Sequence, residues 1–347
     1  MASPRWAKLL ADVRAERGRL AIMIAAIAVS LTGVGAVLGG YAILTREIAA
    51  SYLGTRPAAA TLELPGGADR ALAEAVRRQP GVADAEPREV LVARARLGGE
   101  WRKLLLFVVD DFGDVRLNRF RPVGGAWPPP DGTMLVERSA LGMLSTEVGG
   151  RVEVKTPHGP QQAVAISGVV HDPSLAPAWQ ERCGYGYVSR ATLAALGEPP
   201  VLGELRVAFT GEPRELREVE ARAAEVAAWL AEQGHPVSEL QVPPPGQHPH
   251  QRQMVTILVM MLSFATMALV LSAVLVANAM AALLARQVRE IAILKTLGAG
   301  AGQVARLYAA FVGLAGAAAV AVAAPLGLLG ARGLSASVAR LLNFDLA

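Results

Sequence analysis

Residues 254–300 read MVTILVMMLSFATMALVLSAVLVANAMAALLARQVREIAILKTLGAG. The run from Met254 to Leu284 holds no charged side chain. At about 1.5 Å per residue it is longer than the roughly 30 Å hydrocarbon layer requires, so it is expected to cross a bilayer and continue beyond it as a stalk. A basic segment with helical spacing follows at once, beginning at Arg286. In it Val288, Ile291, Leu294 and Leu297 share one side, Arg289 and Lys295 lie elsewhere, and Gly298-Ala299-Gly300 can stop the helix. A span that feeds a charged helix at the membrane surface reads as a coupling device, not as part of a soluble enzyme.

The rest of the chain agrees. Its 347 residues are 52% hydrophobic and only 18% charged, with a mean hydropathy of +0.35, too apolar for a water-soluble protein. Two further uncharged runs, Leu20–Leu44 and Leu307–Gly330, are long enough to span; a single central Arg would cost about 2.5–3.5 kcal/mol on insertion. The first run exceeds the roughly 7–15 apolar residues of a secretory signal, so an uncleaved anchor is expected. Arg5, Lys8, Arg14, Arg17 and Arg19 precede it, and Arg286, Arg289, Lys295 and Arg306 lie between the second and third spans. By the positive-inside rule both segments stay cytoplasmic.

The expected organisation is therefore a multi-pass plasma (inner) membrane protein with a cytoplasmic N-terminus. Residues 1–19 form an amphipathic helix, with Trp6, Leu9, Leu10 and Val13 opposite Lys8, Asp12 and Arg14, lying on the inner face. Residues 20–44, 254–284 and 307–330 form the membrane helices, and 285–306 a cytoplasmic loop. Residues 45–253 form an extracytoplasmic domain and 331–347 an extracytoplasmic tail. The fold class is a membrane α-helical bundle with an inserted extracytoplasmic α+β domain.

Within that domain, Ala60–Leu64 is strand-like, Pro65-Gly66-Gly67 suggests a turn, and residues 68–79 a helix with Leu72 and Val76 on one face. Leu91, Ala93 and Ala95 alternate and Leu104–Val109 is uniformly apolar, two more strands. Far downstream, Glu204–Phe209 is extended and Pro213 opens a helix striped by Leu216, Val219, Ala223, Val226 and Leu230. Gly234 stops it before an extended Val237–Val242. These pieces suggest one split β-α-β layer. Between them, residues 112–202 read as a β-rich subdomain, with 152–155 and 163–170 a hairpin about His158-Gly159-Pro160. Pro243-Pro244-Pro245-Gly246 and His248-Pro249-His250 stiffen the approach to the second span.

Little catalytic chemistry survives inspection. The two Lys-Thr pairs, at Lys155 and Lys295, follow Val154 and Leu294 where a phosphate loop needs Gly. No cofactor is expected on this chain, and catalytic and metal-ligating residues are expected to be absent. His248 and His250 without nearby thiols or carboxylates make a poor metal site, and the single Cys183 rules out an internal disulfide. His171-Asp172-Pro173 has the groups of a proton relay, but Asp before Pro initiates turns, and a turn is expected. The net charge of +4 is spread along the chain without a nucleic-acid-binding pattern, so no nucleic acid partner is expected.

Small residues recur every four positions in the spans: Gly35 and Gly39 in the first, Ala273, Ala277 and Ala281 in the second, Gly313, Ala317 and Ala321 in the third. Such faces let helices approach closely, within one subunit or between two. Asn278 and Pro325 suggest an interhelical hydrogen bond and a bend.

Arg289-Glu290-Ile291-Ala292-Ile293-Leu294-Lys295-Thr296-Leu297-Gly298-Ala299 resembles the signature of the FtsX-like permease family, the MacB-type ABC transporter subunits. The order of elements is similar too, and Met134–Arg138, Val148–Val152 and Ile166–Val170 resemble that family's periplasmic β subdomain. The resemblance implies that Val288, Arg289, Glu290, Ile291, Leu294, Lys295, Leu297 and Gly298 form a coupling helix docking onto a separate ABC ATPase, which uses the ATP. It also implies a second permease copy or paralogue and a membrane-lipid setting. The function it implies is extraction or export of a lipid, lipoprotein, peptide or drug on the outer side. The same mechanotransmission suits a different role, activation of an extracytoplasmic protein partner such as a cell-wall hydrolase or a sensor. A family half returns through a fourth membrane helix whereas this sequence stops at Ala347, so a truncated permease or the first part of a longer one is expected.

Overall fold

The computed structural model describes residues 17–211, 215–247, 251–296 and 298–345. The helix expected over residues 1–19 falls almost wholly outside them, as do Pro213, His248–His250 and Leu297. The chain forms two compact units. One runs up to Arg46 and resumes over Arg252–Val338; the other comprises Glu47–Gln251 and the chain from Ala339 on.

Helix α1 (Arg17–Gly54) carries the first apolar run and continues well past Leu44. The outer unit then follows as β1 (Ala60–Ala68), α2 (Arg70–Arg77), β2 (Val82–Leu97), β3 (Glu100–Val109), β4 (Arg121–Gly125), β5 (Thr133–Glu137), β6 (Arg151–Lys155) and β7 (Gln162–His171). It is completed by α3 (Ala178–Glu181), β8 (Gly184–Ser189), α4 (Arg190–Ala195), β9 (Leu202–Phe209), α5 (Leu216–Glu232) and β10 (Glu239–Gln241). One sheet holds every strand in the order β10-β1-β9-β2-β3-β8-β5-β7-β4, and β6 bridges β2 and β7.

At one end the sheet is open and covered by helices. Ala60, Leu62 and Leu64 of β1 alternate inward with Leu205, Val207 and Phe209 of β9, against Leu72 and Val76 of α2 and Val219, Ala223, Val226 and Leu230 of α5. Each fully buried aliphatic side chain there contributes about 1.5–3 kcal/mol. Asp69 starts α2 by accepting the Leu72 amide at 2.7 Å, an N-cap worth about 1 kcal/mol. The turn expected at Pro65-Gly66-Gly67 is instead a break in register between Glu63 and Ala68, after which Ala68 pairs with Leu202. Gly67 has φ +77, and a Cβ there would lie 2.4 Å from Val201 Cγ1. The strand therefore bulges where only glycine fits.

At the other end the sheet closes. One edge of β2 pairs with β9 over its first half and with β6 at Arg94–Arg96, while its other edge pairs with β3 from Arg88 to Leu97. The circuit β2-β3-β8-β5-β7-β6 thus returns to β2 as a barrel. Ala93, Leu104, Leu106, Met134, Val136, Val154 and Ile166 belong to the buried core cluster of these strands. The 152–155/163–170 hairpin forms as read, with Val152 opposite Val164. The β-rich subdomain, however, does not begin at residue 112. It uses β2 and β3, because a barrel needs their long pairing to close.

Helices α6 (Gln251–Arg286), α7 (Val288–Thr296) and α8 (Ala301–Leu341) follow. Leu20–Gly54, Val259–Arg286 and Ala301–Leu341 are long and apolar enough to cross a membrane. Pro325 is accommodated inside α8, and residues 331–341, expected as a tail, are its last turns. Helix α8 buries a four-residue repeat of small side chains, Ala315, Ala319, Ala323, Gly327, Ala331 and Ser335. Gly35 and Gly39 of α1 lie against Gly327 and Ala331, and a Cβ on Gly39 would come within 2.8 Å of the Ala331 Cβ. The seam runs two positions beyond Gly313, Ala317 and Ala321, all of which are exposed. Tyr308 and Phe311, packed on Leu20, set that phase. The Ser30 hydroxyl is hydrogen-bonded to that of Ser272, and Ser272 donates to the Ala26 carbonyl at 3.2 Å, tying α1 to α6. Ala273, Ala277 and Ala281 face away from these contacts.

Candidate coupling segment and tail clasp

Helix α7 is set off from α6 by Gln287, which is buried. The Gln287 carbonyl accepts the Ile291 amide at 2.9 Å and its side-chain oxygen accepts the Tyr308 hydroxyl, so the corner is pinned to α8. Glu290 in the first turn and Lys295 in the last complement the helix dipole. Gly298, at φ +93, donates its amide to the Lys295 carbonyl at 3.0 Å and ends the helix in the left-handed region.

This geometry divides the expected coupling residues. Ile291 packs against the cluster of Leu20, Tyr308 and Phe311. Val288 and Ile293 are instead 62% and 51% exposed, with Arg289, Glu290 and Lys295 also at the surface. The Leu294 side chain and Leu297 lie outside the described residues. A short helix thus presents apolar and charged groups together at the surface.

A second cluster escaped the sequence reading. In the outer unit Glu137 is wholly buried at the end of β5. One of its oxygens accepts the Asn343 side-chain amide at 2.8 Å and lies 3.4 Å from His171 Nδ1; the other accepts the Ser139 amide at 2.6 Å. Arg138 donates from Nε to Asn343 Oδ1 at 2.6 Å, from Nη2 to the Asn343 carbonyl at 2.9 Å, and from Nη1 to Asp345 at 2.8 Å. Arg121 also pairs with Asp345, and Trp179 donates to the Leu341 carbonyl at 3.0 Å. Asn343 takes the left-handed conformation, φ +63, that ends α8, with the Phe344 amide bonded back to Ala339.

Burial pushes the Glu137 carboxyl up, but hydrogen bonds from His171, Ser139 and Asn343 outweigh it and hold it below its ordinary value. Asp345 is also lowered, burial again being outweighed, here by Arg138. Arg138 and Asn343 stand 205 positions apart, and no local pattern joins them. The only hint was a Glu-Arg pair ending an apolar strand. His171 and Asp172, read together as a turn, serve different partners. Asp172 makes the turn by accepting the Ser174 amide at 2.9 Å and also accepts the buried Tyr187 hydroxyl at 2.7 Å. Among the described residues no three His, Cys, Asp or Glu side chains converge on a metal position.

Residues 262–346 match the family model described as FtsX-like permease C-terminal, which bears out the resemblance over that stretch. Three solved structures are similar to part of this chain. The extracellular domain of the noncanonic ABC-type transporter YknZ from Gram-positive bacteria is 15% identical, covering 53% of this chain and 99% of that one, with a TM-score of 0.36. The periplasmic region of MacB from Actinobacillus actinomycetemcomitans is 12% identical over 57% and 92%, TM-score 0.34. A domain of a putative permease protein from Porphyromonas gingivalis is 14% identical over 53% and 88%, TM-score 0.31. Comparison with curated proteins found no match.

Proposed function

We propose that this chain is the permease-type membrane subunit of an ABC transporter, driven by a separate ATPase that docks on α7 from the cytoplasm. The chain then carries no catalytic residues of its own and works with a second permease copy or paralogue in the plasma membrane. Its outer unit would act on a lipid, lipoprotein, peptide or drug on the far side.

The observation that carries this reading is the FtsX-like match over residues 262–346, which contains the whole of α7. The exposure of Val288 and Ile293 supports docking there. Transmission has three continuous routes, since α1, α6 and α8 each run along the chain from one unit into the other. A push on α7 is passed to α8 through the Gln287–Tyr308 contact, and the clasp of Glu137 and Arg138 holds the other end of α8.

Co-purification tests the proposal. The chain is expected to bring down an ATPase, and the double substitution Val288→Asp, Ile293→Asp to lose it while leaving the protein folded, because both side chains are already exposed. Retention of the ATPase by that variant contradicts docking on α7.

A further inference from the structure

The barrel wall made by β2, β3 and β6 has an inner and an outer side. Ala93, Ala95, Leu104, Val152 and Val154 are buried in the core cluster. By alternation Val92, Arg94 and Arg96 of β2, Trp101 and Lys103 of β3, and Arg151, Glu153 and Lys155 of β6 point outward, and all of them are exposed. The registers set Lys155 directly opposite Arg94, and Arg94 directly opposite Lys103. These cations stand in one line across three adjacent strands, about 10 Å from end to end at the usual strand spacing.

Like charges placed directly opposite one another destabilise a sheet. Among these outward residues the one acid, Glu153, sits a row further along, where it pairs with Arg96 at 3.4 Å. Among the described residues Arg94, Lys103, Arg151 and Lys155 form no ion pair. The neighbours do not balance the line either. Gln162, Ala163 and Ala165 of β7 lie opposite β6, and Glu181 and Arg182, ahead of β8, carry one charge of each sign. Glu100 pairs with Leu97 at the hairpin end and alternates to the other side. Along the strands the line is bordered by apolar groups, Val92 on one side and Trp101 on the other, 55% and 36% exposed.

We propose that this wall docks an acidic segment of a partner protein, its carboxylates on Lys155, Arg94 and Lys103 and its apolar side chains on Val92 and Trp101. A phosphate polymer would use the cations and leave both apolar groups against water, whereas a polypeptide carries both kinds of group. Arg and Trp together are also the residues enriched in protein interfaces. The repulsion along the line is then a cost to the free protein that the partner's carboxylates reverse. The wall belongs to the outer unit alone, and the inference does not depend on the permease reading.

Calorimetric titration of the full-length chain in phosphatidylcholine nanodiscs tests it with three probes. They are a capped pentapeptide of three glutamates between two leucines, the same peptide with glutamines for the glutamates, and inorganic tripolyphosphate. The glutamate peptide should bind saturably with a Kd below roughly 1 mM. The glutamine peptide should bind at least about tenfold more weakly, having lost the charge-assisted bonds, and tripolyphosphate should also bind more weakly than the glutamate peptide. Arg94→Glu gives the line alternating signs, so it should weaken the glutamate peptide at least about tenfold while raising Tm. A merely structural Arg94 would not move the two readouts in opposite senses. The comparison of probes uses the unaltered protein and stands even if the variant fails to fold. Absence of saturable binding, equal affinity for the two peptides, tighter binding of tripolyphosphate, or an Arg94→Glu variant that keeps the peptide or melts lower would each overturn the proposal. Capture of the nanodiscs by phosphatidylglycerol vesicles that the peptide cannot displace would assign the wall to a lipid surface and overturn it too.

Discussion

Arg138 holds Asn343 by two atoms at once, the side-chain oxygen at 2.6 Å and the main-chain carbonyl at 2.9 Å. The last turn of α8 is thereby fastened to the end of β5. Charge-assisted hydrogen bonds of this kind each contribute about 1.5–3 kcal/mol. Arg138→Ala is expected to destabilise the tail by roughly 2 kcal/mol. Hydrogen exchange over residues 339–345 should accelerate while the barrel amides of β2 and β3 stay protected. Unchanged protection of the tail would show that the clasp does not hold it.

The clasp should also respond to acid. Glu137 and Asp345 are both lowered in the folded protein, so the folded state binds fewer protons than the unfolded one. Their contribution is complete above the unfolded carboxylate range near pH 4 and is lost as pH falls through the lower folded values. Asp172, raised by burial, has the opposite sign: its ionisation costs stability as pH rises from the unfolded value toward the raised folded one. Asp172→Asn should therefore flatten the fall in stability on that side, while Glu137→Gln reduces the loss in acid and leaves the share carried by Asp345. Thermal unfolding of the three proteins across pH 3–8 checks both signs, and identical profiles would contradict them.

The seam between α1 and α8 makes a positional prediction. Gly39→Ala places a Cβ within 2.8 Å of Ala331 Cβ, where no side-chain rotation gives relief, whereas a Cβ at Gly313 meets nothing within 4 Å. Gly39→Ala should cost about 1–3 kcal/mol. Gly313→Ala should be neutral or slightly stabilising, since Ala is favoured over Gly in a helix by about 1 kcal/mol. Unfolding in detergent compares them, and equal losses would place the seam elsewhere.

The contrast between those two glycines shows what the sequence could and could not say. Residues 313–323 of α8 are nearly all small, so a four-residue repeat can be drawn through Gly313 and Ala317 or through Ala315 and Ala319 equally well. Only the bulky Tyr308 and Phe311, once packed, choose between them. The apolar spans, the α7 segment and the 152–155/163–170 hairpin were legible because each is local. Barrel closure was not, since nothing in Arg94–Arg96 announces a pairing with β6. The buried Arg88–Glu86 pair was equally hidden: alternation marks which face the two take, but not that Glu86 also accepts the Arg116 and Leu117 amides.

The most direct measurement of the whole account is sidedness. Cys183 is buried, so single cysteines placed at the exposed Val148 and Val288 can be read against a quiet background. With a membrane-impermeant maleimide on intact cells, Val148→Cys should label at once and Val288→Cys only after the membrane is opened. Equal labelling of the two in sealed cells would put the α7 segment and the outer unit on one side of the bilayer and contradict transmission across it.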